Sequence, residues 1–181
     1  MTINLETVKT NLYDWAKAQL PVNFPVILYY ENAPRPTYNY VTIDITTFTQ
    51  IGEDYTPQPT DDVGDVEMVG NREFTVQLQA YGGDSMGILE TLRCSLQKLT
   101  VLDTLRNNGI IFVMHFPIQD ITELVNSKFE SRATMDVLFR MGQTYQDTLG
   151  SIDTVEIEEE FFEGDTLVIN QTVTVTIDPT P

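Results

Sequence analysis

Two stretches of strict alternation decide most of what this chain can become. From Asn71 to Tyr81, Phe74, Val76, Leu78 and Ala80 alternate with Thr75, Gln77 and Gln79. From Lys128 to Met141, Phe129, Ala133, Met135, Val137, Phe139 and Met141 fall on one side, and Glu130, Arg132, Thr134, Asp136 and Arg140 on the other. Successive side chains of a strand point to opposite faces, so each stretch predicts a strand with one apolar and one polar face. Tyr38 to Ile51 follows the same rule, with Val41, Ile43 and Ile45 against Thr42, Asp44 and Thr46.

Helical spacing is confined to two regions. Leu5, Val8, Leu12, Trp15, Ala16 and Leu20 form one stripe from Asn4 to Leu20, closed by Pro21. After a Gly82-Gly83 turn, Asp84 or Ser85 caps a long central helix to about Lys98, with Met86, Leu89, Leu92 and Leu96 or Leu99 as its apolar stripe. Thr100 opens a shorter helical piece that ends at Asn107-Asn108-Gly109.

Pro25 to Glu31 reads as a strand interrupted by Ala33 to Pro36, and Ile110 to Phe116 as a central apolar strand. Gly52 to Gly70 reads as a long acidic loop rich in Pro and Gly, Pro117 to Asn126 as a connection, and Gly142 to Ser151 as turn-like. Thr154 to Phe162 and Thr166 to Asp178, joined by Glu163-Gly164-Asp165, predict a C-terminal β-hairpin within 152–178. Residues 172 to 177, Thr-Val-Thr-Val-Thr-Ile, carry no charge and need a strand partner. Regular β-α alternation is missing, so the expected fold is a single α+β domain over 1–181 with an antiparallel or mixed sheet.

Charge narrows the function classes. The chain has 181 residues, 27 acidic against 10 basic, for a net charge of -17. That balance argues against binding nucleic acid or an anionic membrane, both of which require Lys and Arg. The acidity is purest at the end, since no Lys or Arg follows Arg140. The opening MTINLETVKT lacks a basic start and an apolar core of a signal sequence, so a cytoplasmic product is expected. The single Cys94 cannot pair internally and is expected as a small buried residue of the central helix.

One motif points to catalysis. Gly83-Asp84-Ser85-Met86-Gly87 is a G-x-S-x-G between a strand and a helix, the setting of a hydrolase nucleophile elbow. A small serine hydrolase using Ser85 would need His115, the only histidine, as base and an acid such as Asp103. A flexible strand-to-helix turn with an Asp or Ser cap explains the same five residues without chemistry. His115 has no second histidine or cysteine cluster with which to share zinc. Asp61, Asp62, Asp65 and Glu67 lack the spacing of a helix-loop-helix calcium site. Glu156, Glu158 and Glu160 repeat at period 2, a row suited to solvent, to a basic partner or to guarding a strand edge. No enzyme activity, metal or cofactor is expected. An acidic inhibitor that mimics DNA and binds a basic host protein is the alternative from another class.

Taken in order, the helix with Trp15, ENAPRPTYNYVTIDI (31–45), REFTVQLQAYGGDSMGILETLRCSL (72–96), NNGIIF (107–112) and PIQDITELVNSKFESRATMDVLFR (117–140) resemble the neck and tail-terminator proteins of tailed bacteriophages. The resemblance covers roughly residues 5 to 160 and rests on packing patterns. It implies a twisted sheet flanked by helices. It further implies a homo-oligomeric ring, commonly a hexamer, that caps the tail tube, joins it to the neck and lets DNA through. The expected interface residues are then Tyr55, Pro57, Val66, Met68, Val173 and Val175. Glu156, Glu158 and Glu160 are expected to face the lumen or a basic partner. The partners implied are further copies of the chain and tail tube and neck proteins, in a virion assembled in the host cytoplasm.

Overall fold

The computed structural model describes residues 4–28, 36, 39–55, 65–125, 127–148, 154–163 and 166–176; for 65, 154–155, 157–163, 166–171 and 176 only the backbone is described. In chain order the elements are α1 (Leu5–Gln19), β1 (Val26–Leu28), β2 (Tyr40–Tyr55), β3 (Asp65–Tyr81), α2 (Ser85–Ser95), α3 (Leu99–Asn107) and β4 (Ile111–His115). There follow β5 (Gln119–Asp120), β6 (Glu123–Val125), β7 (Lys128–Glu130), β8 (Arg132–Thr148), β9 (Thr154–Glu163) and β10 (Thr166–Thr176). The fold is α+β, mostly strands, with a mixed sheet and three helices among the described residues.

The chain divides into two compact units. The first, Met1–Asp54 with Val69–Thr144, holds the helices and the sheet ordered β1-β2-β3-β8-β4. β1 runs parallel to β2, pairing Val26 with Val41 and Leu28 with Ile43. Along β2 and β3, Tyr40 meets Tyr81, Thr46 meets Thr75 and Asp54 meets Arg72. Partner numbers fall as residue numbers rise, which makes that pair antiparallel. The same holds for β3 and β8, where Gln77 meets Asp136 and Glu73 meets Arg140. β4 and β5 both lie antiparallel along β8.

Alternation then does what it must. Phe74, Val76, Leu78 and Ala80 of β3 and Ala133, Met135, Val137 and Phe139 of β8 are buried on one face of the sheet. The three helices cover that face with Val8, Leu12, Trp15 and Ala16, with Leu89, Leu92 and Leu96, and with Val101 and Leu105. Phe139 is the hub, with ring centroids 5.7 Å from Phe74, 6.1 Å from Phe112 and 6.2 Å from Trp15. The polar tip of Trp15 does not go unmet, since its Nε1–H donates to Ser95 Oγ at 3.1 Å in the buried interior.

Helix ends follow from local chemistry. Asn4 caps α1 by accepting from the Glu6 and Thr7 amides. Asp84, rather than Ser85, caps α2 by accepting from Gly87 N at 3.0 Å. The turn before it uses positive φ at Gly82 and Gly83, +76° and +52°, a region most side chains avoid.

Several elements differ from the sequence expectation. The central helix is shorter than expected, since α2 stops at Ser95, and the separate piece expected from Thr100 is α3, which starts at Leu99 behind Lys98. Helical phase puts Ser85, Leu89, Leu92 and Ser95 inward. Met86 and Cys94 are therefore exposed, against expectation, and of the alternatives Leu96 and Leu99 it is Leu96 that is buried. The 52–70 loop contracts, because β2 continues to Tyr55 and β3 already begins at Asp65. Gly142 to Thr148, expected as turn, extends β8. The expected central strand, β4, lies at the sheet edge. The expected strand over 128–141 breaks at Ser131, whose carbonyl accepts from Gly82 N at 2.7 Å. Phe129 is left outside, 80% exposed.

The second unit comprises Tyr55–Met68 and Tyr145–Pro181. Within it β9 and β10 form a two-stranded antiparallel sheet, in register from Thr154↔Thr176 to Glu163↔Thr166 with one irregularity between Leu167 and Ile169.

Candidate assembly surfaces

The face of the sheet away from the helices is polar and built as a ladder. Tyr81 Oη donates to Gln79 Oε1 at 2.7 Å, and Gln79 Nε2 donates to Gln77 Oε1 at 2.6 Å. Gln77 Nε2 donates to Asp136 Oδ1 at 3.3 Å. Arg132 lies 4.7 Å above the Tyr81 ring, which stacks on Tyr40 at 4.5 Å. Its guanidinium also reaches Glu123 at 2.9 Å. Burial lowers the Arg132 pKa, but the Tyr81 hydrogen bond and charge, with Glu123, outweigh it and leave it raised. Arg140 is paired across strands with Glu73 at 2.8 Å. These cross-strand contacts fix the register of the two central strands.

Where β2 and β3 pass Asp54 and Arg72, the apolar interior gives way to charge. Arg72 donates two hydrogen bonds to the Asp54 carboxylate, 2.7 and 2.6 Å, with side chains 10% and 7% exposed. Gln50 Nε2 adds a third contact to Asp54 at 3.1 Å. A Cβ at position 70 would collide with Asp54 Oδ1 and Arg72 Nη1, so Gly70 is the space the pair occupies. Geometry of this kind is what allows a buried pair to offset its desolvation.

The edge of the sheet is apolar. Ile111, Val113, Met114 and Phe116, on and just after β4, are between 39% and 47% exposed. Ile111 lies opposite Arg140 and Met114 opposite Leu138, so both belong to the polar-ladder face. Further along, the small β6–β7 pair sets Leu124 opposite Phe129, 62% and 80% exposed. None of this was expected from sequence. A run such as IIFVM reads the same whether its strand is central or at an edge.

The residues singled out from sequence fall as follows. Tyr55 ends β2 and is 68% exposed. Pro57 lies outside the described residues. Val66 is 4% exposed, because strand alternation turns it inward while Glu67 faces out, so its side chain is already covered. Met68 is half-buried on β3. Val173 and Val175 on β10 are 41% and 47% exposed. On β9, Glu156 is exposed opposite Thr174, and the backbones of Glu158 and Glu160 lie opposite Thr172 and Asn170.

The hydrolase constellation does not come together. Ser85 is 1% exposed, with its Oγ 2.8 Å from Ser131 Oγ. Asp103 is exposed and paired with Arg106 on the same helix. His115 is half-buried beside Phe112, and its Nδ1 lies 3.4 Å from the Phe116 carbonyl. Glu67 is exposed, while Asp61 and Asp62 lie outside the described residues. Among the described residues no group of three or more His, Cys, Asp or Glu is placed to hold a metal, and no helix is long and apolar enough to cross a membrane. The groove between α1 and α3 encloses about 400 Å³ and is lined by Trp15, Ala18, Val101 and Leu105 together with polar groups that include Asn11, Asp14, Thr100, Thr104 and Asn108.

Residues 6–165 match the family described as phage neck terminator protein, and the chain belongs to that family. The family's description names a structural component of the phage neck. Among solved structures it is similar to the PVC sheath/tube terminator of an extracellular contractile injection system, seen by cryo-EM in the extended state. The two share 11% identity with a TM-score of 0.47, over 93% of this chain and 66% of the other, so this chain spans just under two thirds of that one. Comparison with curated proteins finds no match.

Proposed function

We propose that 1–181 acts as one terminator-like subunit of a closed homo-oligomeric ring, a hexamer, which ends growth of the phage tail tube and joins it to the neck. DNA passes through its centre. The observation that carries this reading is the family match over residues 6–165. The net charge of -17 supports it, since a conduit wall of like charge does not hold passing DNA. Tyr55, Pro57, Met68, Val173 and Val175 are the proposed subunit contacts, and Glu156, Glu158 and Glu160 the face toward the lumen or a basic partner. Val66 supports its strand from within. Assembly takes place in the host cytoplasm, where the ring meets tube and neck proteins.

The test is addition of the purified chain to tail tubes that lack their terminator. Rings at tube ends by electron microscopy, and tubes of fixed length, are expected. Chain that leaves tube ends bare would overturn the proposal.

A further inference from the structure

The edge strand β4 carries none of the charge that most often guards an exposed edge. Natural edges are kept from pairing by charges, prolines, short length or a bulge. The opposite edge, β1, is three residues long. β4 has a bulge near Val113, but from Asn107 to Gln119 the chain carries no Asp, Glu, Lys or Arg. Its ladder among the described residues is with β8, and Ile111, Met114 and Phe116 are exposed beside it.

A second strand has the complementary need. From Thr166 to Ile177 there is again no charged residue. Thr172, Val173, Thr174 and Val175 are all exposed, which means both faces of β10 are bare there. Among the described residues β10 pairs with β9 alone, and two-stranded sheets are marginal in water without a third strand or a covering element. Two copies of a chain with a net charge of -17 repel, so they meet most readily where charge is absent.

From these observations we infer that β10 of one subunit adds to the β4 edge of a second copy of this chain, with Val173 and Val175 stacked beside Ile111 and Met114. Strand addition supplies the backbone hydrogen bonds, and the apolar cross-strand pairs set the register. The contact joins two different patches, so it is head-to-tail and repeats from copy to copy, the kind of interface that closes a ring. The inference rests on the ring reading and names its joint.

Two preparations test it, both in a Cys94→Ser background because Cys94 is exposed. One carries Met114→Cys and the other Val175→Cys; both sites are about half exposed, so folding is not at stake. The preparations are mixed, oxidised and examined for disulfide dimers, which form only when the two backbones come within about 7 Å. Particle mass is followed in parallel by light scattering. The expected result is an assembly larger than the monomer with a mixed disulfide between the two variants. Separately, Met114→Lys and Val175→Lys should each weaken self-association by about tenfold or more. An assembly that yields no mixed disulfide and ignores both lysines overturns the β4–β10 joint but leaves the ring. Disulfides only between Met114→Cys copies overturn it in favour of edge-to-edge pairing of β4. No assembly at any concentration, with or without tail tubes, overturns ring and joint together.

Discussion

Phe139 and Phe129 stand ten residues apart on what reads as one alternating strand, and they have opposite fates. Phe139 is fully buried at the junction of three aromatic rings, while Phe129 is 80% exposed. The same contrast separates the buried stripe of β3 and β8 from the exposed run Ile111, Val113, Met114 and Phe116. Composition does not distinguish the two regions. What differs is whether the fold itself supplies a cover, and side chains the fold leaves bare are available to a partner.

Five substitutions test which side chains the fold itself covers, beginning with the most damaging. Phe139→Ala removes the hub of the core and should cost about 3–5 kcal/mol in denaturant unfolding followed by circular dichroism. A loss below 1 kcal/mol would mean that Phe139 is no better covered than Phe129. Asp54→Ala leaves the Arg72 guanidinium buried without its bidentate partner, for an expected loss of about 3 kcal/mol. Gly70→Ala intrudes on the same pair and should cost ~1–3 kcal/mol by overpacking. Equal stability of both variants with the parent would show that this end of the strands is open to water.

Ser95→Ala strands the Trp15 indole N–H in the interior and should cost about 1–2 kcal/mol. Phe129→Ser should move the unfolding free energy by no more than about 0.5 kcal/mol, because nothing in the chain covers that ring. A large loss there would contradict its exposure. The smallest effect is electrostatic. The Arg93 hydrogen bond, then that from Cys94, lowers the Glu90 pKa from 4.5 to about 2. A carboxylate depressed in the folded state contributes its stability above its unfolded value and loses it as pH falls through about 2. Glu90 is exposed, so the contribution is screened. Titration of the Glu90 side chain by NMR checks the direction, and a midpoint at or above 4.5 would remove the pairing.

The regions that were legible in the sequence are those where one period decides burial. The alternation of β3 and of β8 from Ala133 onward, and the stripe of α1, needed no knowledge of neighbours. Errors arose where a neighbour decides. Ser131 interrupts alternation because its carbonyl is taken by Gly82, forty-nine residues away, and the β6–β7 pair folds back through Ser127 at a φ of +64°. β4 looks central by content, but strand order is a long-range property. The stretch 52–70 reads as loop from its Gly, Pro and acid. Asp54 is tolerated in a strand because Arg72, eighteen residues on, neutralises it. In α2 a phase shift of one residue exchanged Met86 for Ser85 on the buried side. Of the candidate contacts, Val173 and Val175 were legible as part of an uncharged strand in need of a partner, whereas the β4 edge was not.

The placement of Trp15 also has an optical consequence. It is the only tryptophan in the chain, 5% exposed, with its indole bonded to Ser95. Its emission under selective excitation therefore monitors a single dry environment between helix and sheet. Red-shifting of that signal reports melting of the interior. Strand docking at β4 should pass without changing its colour, so one cuvette can separate a subunit that has come apart from a subunit that has merely come loose.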